Sequence, residues 1–109
     1  MCIFCQIAKH QQKADIVYED DEIIVFKDTN PSAPVHLLIT TKKHIKSINE
    51  LKKEDRRLIS QMVFLGKKLA EKQGIAKTGY KLIFNVGRGG GQIIDHLHLH
   101  LMGGGVGNE

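Results

Sequence analysis

From His96 to Met102 the chain reads His-Leu-His-Leu-His-Leu-Met. A period of two is the period of a β-strand. The three imidazoles then project from one face, and the leucines fill the other, against the core. Imidazole is suited to proton transfer, nucleophilic attack and metal ligation near neutral pH. Three on one strand face cost sheet stability and add nothing to a core, so a chemical role is the better account. The bland alternative is a His-rich strand or a surface metal tract.

A second chemical feature lies at the start, where Cys2-Ile3-Phe4-Cys5 forms a Cys-x-x-Cys pair. Metal binding, redox activity and accident are the choices. Redox pairs of this kind follow a strand at a helix start, and no strand precedes this one. A third is Gly87-Arg88-Gly89-Gly90-Gly91-Gln92, just ahead of the histidines. Glycines let backbone N–H groups approach a phosphate, although a flexible hairpin explains such a run equally well.

These groups need elements to hold them. Residues 1–10 read as a short helix or turn around the cysteines. Segments 15–19 and 22–26 read as strands joined by a tight turn at Asp20-Asp21. Asn30-Pro31-Ser32-Ala33-Pro34 is a loop, and 36–40 is a buried strand. Residues 53–73 form the one long helix, with Leu58, Ile59, Met62, Val63, Leu65, Leu69 and Ala70 at helical spacings and Gly74 as its stop. Residues 80–86 are a fourth strand. The order predicts an α+β fold with a mostly antiparallel sheet. The segment 103–109 is Gly-rich and reads as a loose tail.

Composition sets bounds. A chain of 109 residues makes one domain, 1–109. Apolar residues are 41% and charged residues 26%, values ordinary for a globular fold. No apolar run is long enough to span a bilayer, and residues 1–9 lack the order of a signal peptide. The expected location is the cytoplasm, where a structural disulfide does not suit the cysteine pair. The formal charge of +4 favours anionic partners. The lysines are dispersed, so a solvated basic face explains them better than nucleic-acid binding.

His-x-His-x-His followed by two apolar residues, taken with other segments in order, resembles the histidine triad (HIT) family, in its HINT-like branch of nucleoside phosphoramidases. The supporting segments are 18–21 (Tyr-Glu-Asp-Asp), 26–31 (Phe-Lys-Asp-Thr-Asn-Pro), 33–39 (Ala-Pro-Val-His-Leu-Leu-Ile), 42–44 (Lys-Lys-His) and 85–92 (Asn-Val-Gly through Gly-Gln). The resemblance runs from Cys2 to about Gly104. It implies a five-stranded antiparallel sheet with one long helix and a short N-terminal helix. It also implies dimers with a continuous sheet.

The resemblance further implies a nucleotidyl hydrolase that cleaves nucleoside phosphoramidates or aminoacyl-nucleotides, with a purine nucleotide as substrate. His98 matches the nucleophile that forms a nucleotidyl-histidine intermediate, its ring oriented by the carbonyl of His96. His100 is placed to bond a phosphate oxygen or to help protonate the leaving group. His36 matches a fourth active-site histidine. Asn85 and Gln92 match phosphate contacts, Gly91 belongs to the phosphate loop, and Asp28 matches the acid that holds the ribose hydroxyls. Read singly, Asp28 is equally a turn residue. Ile23, Phe26 and Leu37 are candidates for the base pocket or for plain core. Some relatives bind zinc through a Cys-x-x-Cys pair and two histidines; the matching residues are Cys2, Cys5, His44 and His96, a closed structural set.

Ile93 stands where the family has Ser or Thr on phosphate, and Asp95 replaces a common Tyr, Phe or Pro. The Trp-Pro-Pro ending common in HINT proteins is also missing. Two other functions compete: a dinucleoside polyphosphate hydrolase, whose branch tends to carry Pro after the triad, and a nucleotide-binding adaptor with feeble catalysis.

Overall fold

The computed structural model describes residues 2–105. Helix α1 spans Ile3–Ala8, and helix α2 spans Arg56–Lys72. Five strands follow the chain: β1 Ile16–Glu19, β2 Ile23–Lys27, β3 Val35–Thr41, β4 Tyr80–Ile83 and β5 His98–Gly103. They form one antiparallel sheet in the order β1-β2-β3-β5-β4. The Asp20 carboxylate makes the first turn by accepting N–H bonds from Glu22 and Ile23, both at 2.8 Å.

The pleat sorts side chains between two layers. Ile23, Val25, Leu37, Ile39, Leu97, Leu99 and Leu101 pack with Leu58, Met62, Leu69 and Ala70 of α2. On the opposite face Ile24, Phe26 and Leu38 pack with Phe4 and Ile7 of α1. Burying a leucine contributes about 1.5–3 kcal/mol. A one-residue slip of β5 would exchange the buried Leu99 and Leu101 for histidines, so its register is strongly specified. That register sets Leu38 opposite His100 and Thr40 opposite His98.

Five features differ from the sequence expectation, the first being β4, which ends at Ile83 and not at 86. Strand β5 begins at His98, so His96 lies in the lead-in and only two triad histidines belong to the strand. The long helix starts at Arg56, after a 3-10 turn over Lys53–Asp55. In that turn Asp55 accepts the Lys52 N–H at 2.9 Å. Gly103 is no loose tail, because it ends β5 opposite Val35 and Tyr80. A Cβ there would come within 2.7 Å of Ile75 Cδ1 and 3.1 Å of the Gly79 carbonyl, which only glycine avoids. Gly104 and Gly105 follow the strand, and 106–109 of the expected tail lie outside the described residues. On α2, Val63 is exposed although its spacing suggests core. No helix among the described residues is long and apolar enough to cross a membrane.

Candidate active site and metal centre

Cys2 caps α1, its sulfur accepting the Cys5 N–H at 3.2 Å. That cap turns both thiols to the same side. The segment leading into β5 lies along residues 45–46: the Leu97 N–H donates to the Ile45 carbonyl at 2.7 Å, and the Gln92 amide donates to the Lys46 carbonyl at 2.8 Å. His44 and His96 are therefore side by side, facing the cysteines.

The donors meet closely. His44 Nδ1 and His96 Nδ1 are 3.2 Å apart. Cys2 Sγ lies 3.6 Å from His44 Nδ1 and 3.2 Å from His96 Nδ1. For Cys5 Sγ the same distances are 3.2 and 3.4 Å. A tetrahedral ion with bonds of about 2.3 Å to sulfur and about 2.05 Å to nitrogen requires S···N edges of about 3.6 Å and N···N edges of about 3.3 Å. His96 Nε2–H donates to the Thr41 carbonyl at 2.6 Å, which leaves the Nδ1 lone pair facing the cluster. Cys2, Cys5, His44 and His96 could thus hold a metal ion, and the expected ligand set comes together in space.

Beside this cluster lies a cleft of about 560 Å³. Its floor includes His98, only 8% exposed. His98 Nδ1–H donates to the His96 carbonyl at 2.6 Å. Its Nε2 therefore keeps a lone pair on the cleft side of the bond. Burial lowers the His98 pKa, against the raising effects of that hydrogen bond and of Asp28. The ring is neutral at pH 7, and the Phe4 ring meets it edge-on at 5.1 Å.

Next along β5, His100 takes its tautomer from a chain of hydrogen bonds. The Ser32 N–H donates to His36 Nδ1 at 3.0 Å, so the proton of neutral His36 is on Nε2. That Nε2–H faces His100 Nδ1 at 2.9 Å and Asp28 Oδ2 at 3.3 Å. His100 then carries its own proton on Nε2. Asn85 Nδ2 lies 3.4 Å from His100 Nε2; with a proton on that nitrogen, a half-turn of the amide brings its oxygen to accept. Burial, with His98 and His36 nearby, lowers the His100 pKa to about 4. Asp28 is the expected turn residue, its Oδ1 accepting the Asn30 N–H at 2.9 Å, while its Oδ2 faces His36.

The glycine loop is a built turn. Residues 88–90 form a 3-10 turn, and Gly87 and Gly91 flank it at φ of 70° and 85°. Gln92 is buried beneath it. Its Oε1 accepts the Gly87 N–H at 2.9 Å, and its Nε2 donates to the carbonyls of Lys46 and Ile94. Gln92 thus braces the loop from below and does not line the cleft, whereas Gly91 and Asn85 do. Asp95 forms a two-armed pair with Arg88 at 2.9 and 3.1 Å. Arg88 holds its carboxyl below the usual range and offsets the negative charge that its position suggests.

Among the three base-pocket candidates, Phe26 lines the cleft. Ile23 and Leu37 belong to the core under α2, on the far face of the sheet. Sequence reasoning missed Ile3, Phe4, Ile7 and Leu38, which supply much of the apolar wall. Apolar residues at i and i+3 or i+4 in α1 are the signal that would have found the first three.

A family model described as "Scavenger mRNA decapping enzyme C-term binding" matches residues 1–106. The purine nucleoside phosphoramidase of Escherichia coli (strain K12) is 41% identical over 102 residues, covering 94% of this chain and 86% of that protein. Protein HitA of Neisseria gonorrhoeae is 43% identical over 102 residues, covering 94% of each. The crystal structure of a HIT family hydrolase from Legionella pneumophila Philadelphia 1 matches with a TM-score of 0.94 at 47% identity, covering 95% of this chain and 93% of that one. The chain belongs to the histidine triad family and is a hydrolase of that type.

The His100 environment has a measurable consequence. The unfolded chain takes up a proton at this residue as the pH falls below about 6.5, and the folded chain does so only near pH 4. Folding stability contributed here is complete above pH 6.5 and declines as the pH falls toward 4. NMR titration of the His100 ring should give a midpoint near 4, and His100→Gln should flatten the acid limb of the stability curve. A ring midpoint at or above 6.5 would contradict the geometry.

Proposed function

We propose that the protein hydrolyses nucleoside phosphoramidates, including aminoacyl-nucleotides, through a nucleotidyl intermediate on His98. The observation that carries this reading is the buried, neutral His98 whose Nδ1–H is held by the His96 carbonyl. The relative named purine nucleoside phosphoramidase supports the substrate class, as does a cleft with an apolar wall and an acid at Asp28 for ribose. The base would lie against Phe4, Ile7, Phe26 and Leu38.

In the first step His98 Nε2 attacks the α-phosphorus and the P–N bond to the leaving amine breaks. The amine leaves with a proton drawn from solvent. The nucleotidyl-imidazole is cationic; it keeps Nδ1–H on the His96 carbonyl and has Asp28 nearby as counter-charge. Water then attacks phosphorus, the P–Nε2 bond breaks, and the water proton passes to solvent. The net products are a nucleoside monophosphate and the amine. Neutral His100 contributes an Nε2–H bond to a phosphate oxygen. Giving that proton up outright would leave an imidazolate, so its role is to bond phosphate, with His36 fixing its tautomer.

Zinc suits the Cys2, Cys5, His44 and His96 set, since two thiolates and two imidazoles at these separations favour a tetrahedral borderline-soft ion. Such a centre would be structural and would tie α1 to the lead-in whose carbonyl orients His98. A homodimer also belongs to this reading. Leu58, Met62 and Leu69 are spent on the chain's own core, so they do not argue for a partner. Val63 and Phe64 remain 41% and 68% exposed on α2, and β4 is an edge strand.

The central test is His98→Ala. Turnover of an adenosine phosphoramidate should fall more than about a thousandfold while nucleotide binding and fold persist. A loss under tenfold, about 1.4 kcal/mol of barrier, would remove His98 as nucleophile. Metal analysis of protein purified without chelator should give about one zinc per chain. Cys5→Ser should lower thermal stability more than it lowers turnover at low temperature. Metal-free protein of full stability would sink the site. Sedimentation should report a dimer of the 12.2 kDa chain, and Phe64→Asp should shift it toward monomer; a wild-type monomer at micromolar concentration would contradict the assembly.

A further inference from the structure

Ile93 is 80% exposed, the most exposed large apolar side chain among the described residues, yet it lines the catalytic cleft. Its position follows from its neighbours. Gln92 is turned inward and held by three backbone hydrogen bonds. Ile94 packs against the Phe4 and Phe26 cluster. Between two inward-facing neighbours, Ile93 is left outward, at the mouth. Ile3, also partly exposed, and Ile94 line the same cleft. An isolated surface isoleucine needs no account; two exposed ones, Ile3 and Ile93, on one reactive cleft do.

The direction of the reaction says what meets them. In a displacement at phosphorus the attacking and leaving atoms are roughly in line. His98 attacks from the buried floor, so the leaving group points outward, to the mouth where Ile93 stands. The nucleoside already has its own apolar wall deeper in, at Phe4, Ile7, Phe26 and Leu38. The only arginine of the 85–95 loop is bound to Asp95 and to the Gln92 carbonyl, the latter at 2.6 Å. Its charge is already answered by the Asp95 carboxylate, which weakens its pull on a carboxylate of the leaving group.

We propose that Ile93, with the exposed Ile3, forms an apolar shelf for the leaving group, and that the favoured substrates are nucleoside phosphoramidates of apolar primary amines. This rests on the phosphoramidase reading and narrows it. Ile93 is a specificity-determining residue and takes no part in proton or phosphoryl transfer.

The test uses two adenosine phosphoramidates whose amines have matched basicity, hexylamine and methylamine. Wild-type protein should favour the hexylamine substrate by about tenfold in kcat/KM, the scale of a few methylenes against an open apolar surface. Ile93→Ser should bring that ratio near one, and Ile93→Val should keep most of it. Thermal unfolding of both variants should match wild type, because the side chain is exposed. A wild-type ratio near one, or an equal loss on both substrates in Ile93→Ser, would overturn the shelf while leaving the phosphoramidase reading intact. Cleavage of neither substrate by wild-type protein would overturn the phosphoramidase reading, and the shelf with it.

Discussion

His96 makes three bonds on which the rest of the site depends. Its Nε2–H is held by the Thr41 carbonyl, its Nδ1 faces the two thiols and His44, and its own carbonyl receives the His98 Nδ1–H. The first fixes the ring, the second places it where it could hold a metal ion, and the third sets the tautomer of the neighbouring imidazole. The ring itself is fully buried and off the cleft lining, so it is not placed to act on a substrate there. Its backbone, however, decides which nitrogen of His98 carries the lone pair. Structure and reactivity are coupled through one residue because side-chain and main-chain groups of the same amino acid point to different partners.

The sheet supplies the remaining order. Antiparallel pairing of β3 with β5 brings His36, Leu38 and Thr40 across from Met102, His100 and His98. The alternation that buries Leu97, Leu99 and Leu101 under α2 turns His98 and His100 to the other face, where α1 covers the first of them. The hydrophobic layer and the catalytic layer are thus one pattern. Burial by α1 also keeps His98 neutral, since a charged imidazole there would lose hydration. The six-residue helix therefore lines the pocket, bears Cys5 with Cys2 as its N-cap, and keeps His98 neutral.

Departures from the family pattern find different explanations in the structure. Asp95 is answered by Arg88, whose two-armed pair spans the glycine turn and also ties the Gln92 carbonyl. Both groups are exposed, so the pair contributes geometry more than stability. Gln92, matched to a substrate contact, is spent on backbone groups and keeps the turn in shape. Ile93 is left outward by that same bracing, and its chemistry bears on what departs from phosphorus more than on phosphorus itself.

Local sequence determined a good deal. The alternation at 97–101 specified a strand with leucines on one side, the Asp20-Asp21 pair a turn, and the spacing of Leu58, Met62, Leu69 and Ala70 a helix with a buried stripe. Those are short-range patterns, each readable because one face is apolar. Residue types and their order also pointed to His98, His100, His36, Asn85 and the Cys-His set, through likeness to a known family. Tertiary structure alone decided which of these meet. His44 and His96 are neighbours because Leu97 pairs with Ile45, and the tautomer of His100 is set by a relay from the Ser32 amide. Ile23 and Phe26 look alike in sequence, yet the pleat sends one to the core and the other to the cleft. Hydrogen-bond direction and sheet face are properties of partners distant along the chain, and no local pattern encodes them.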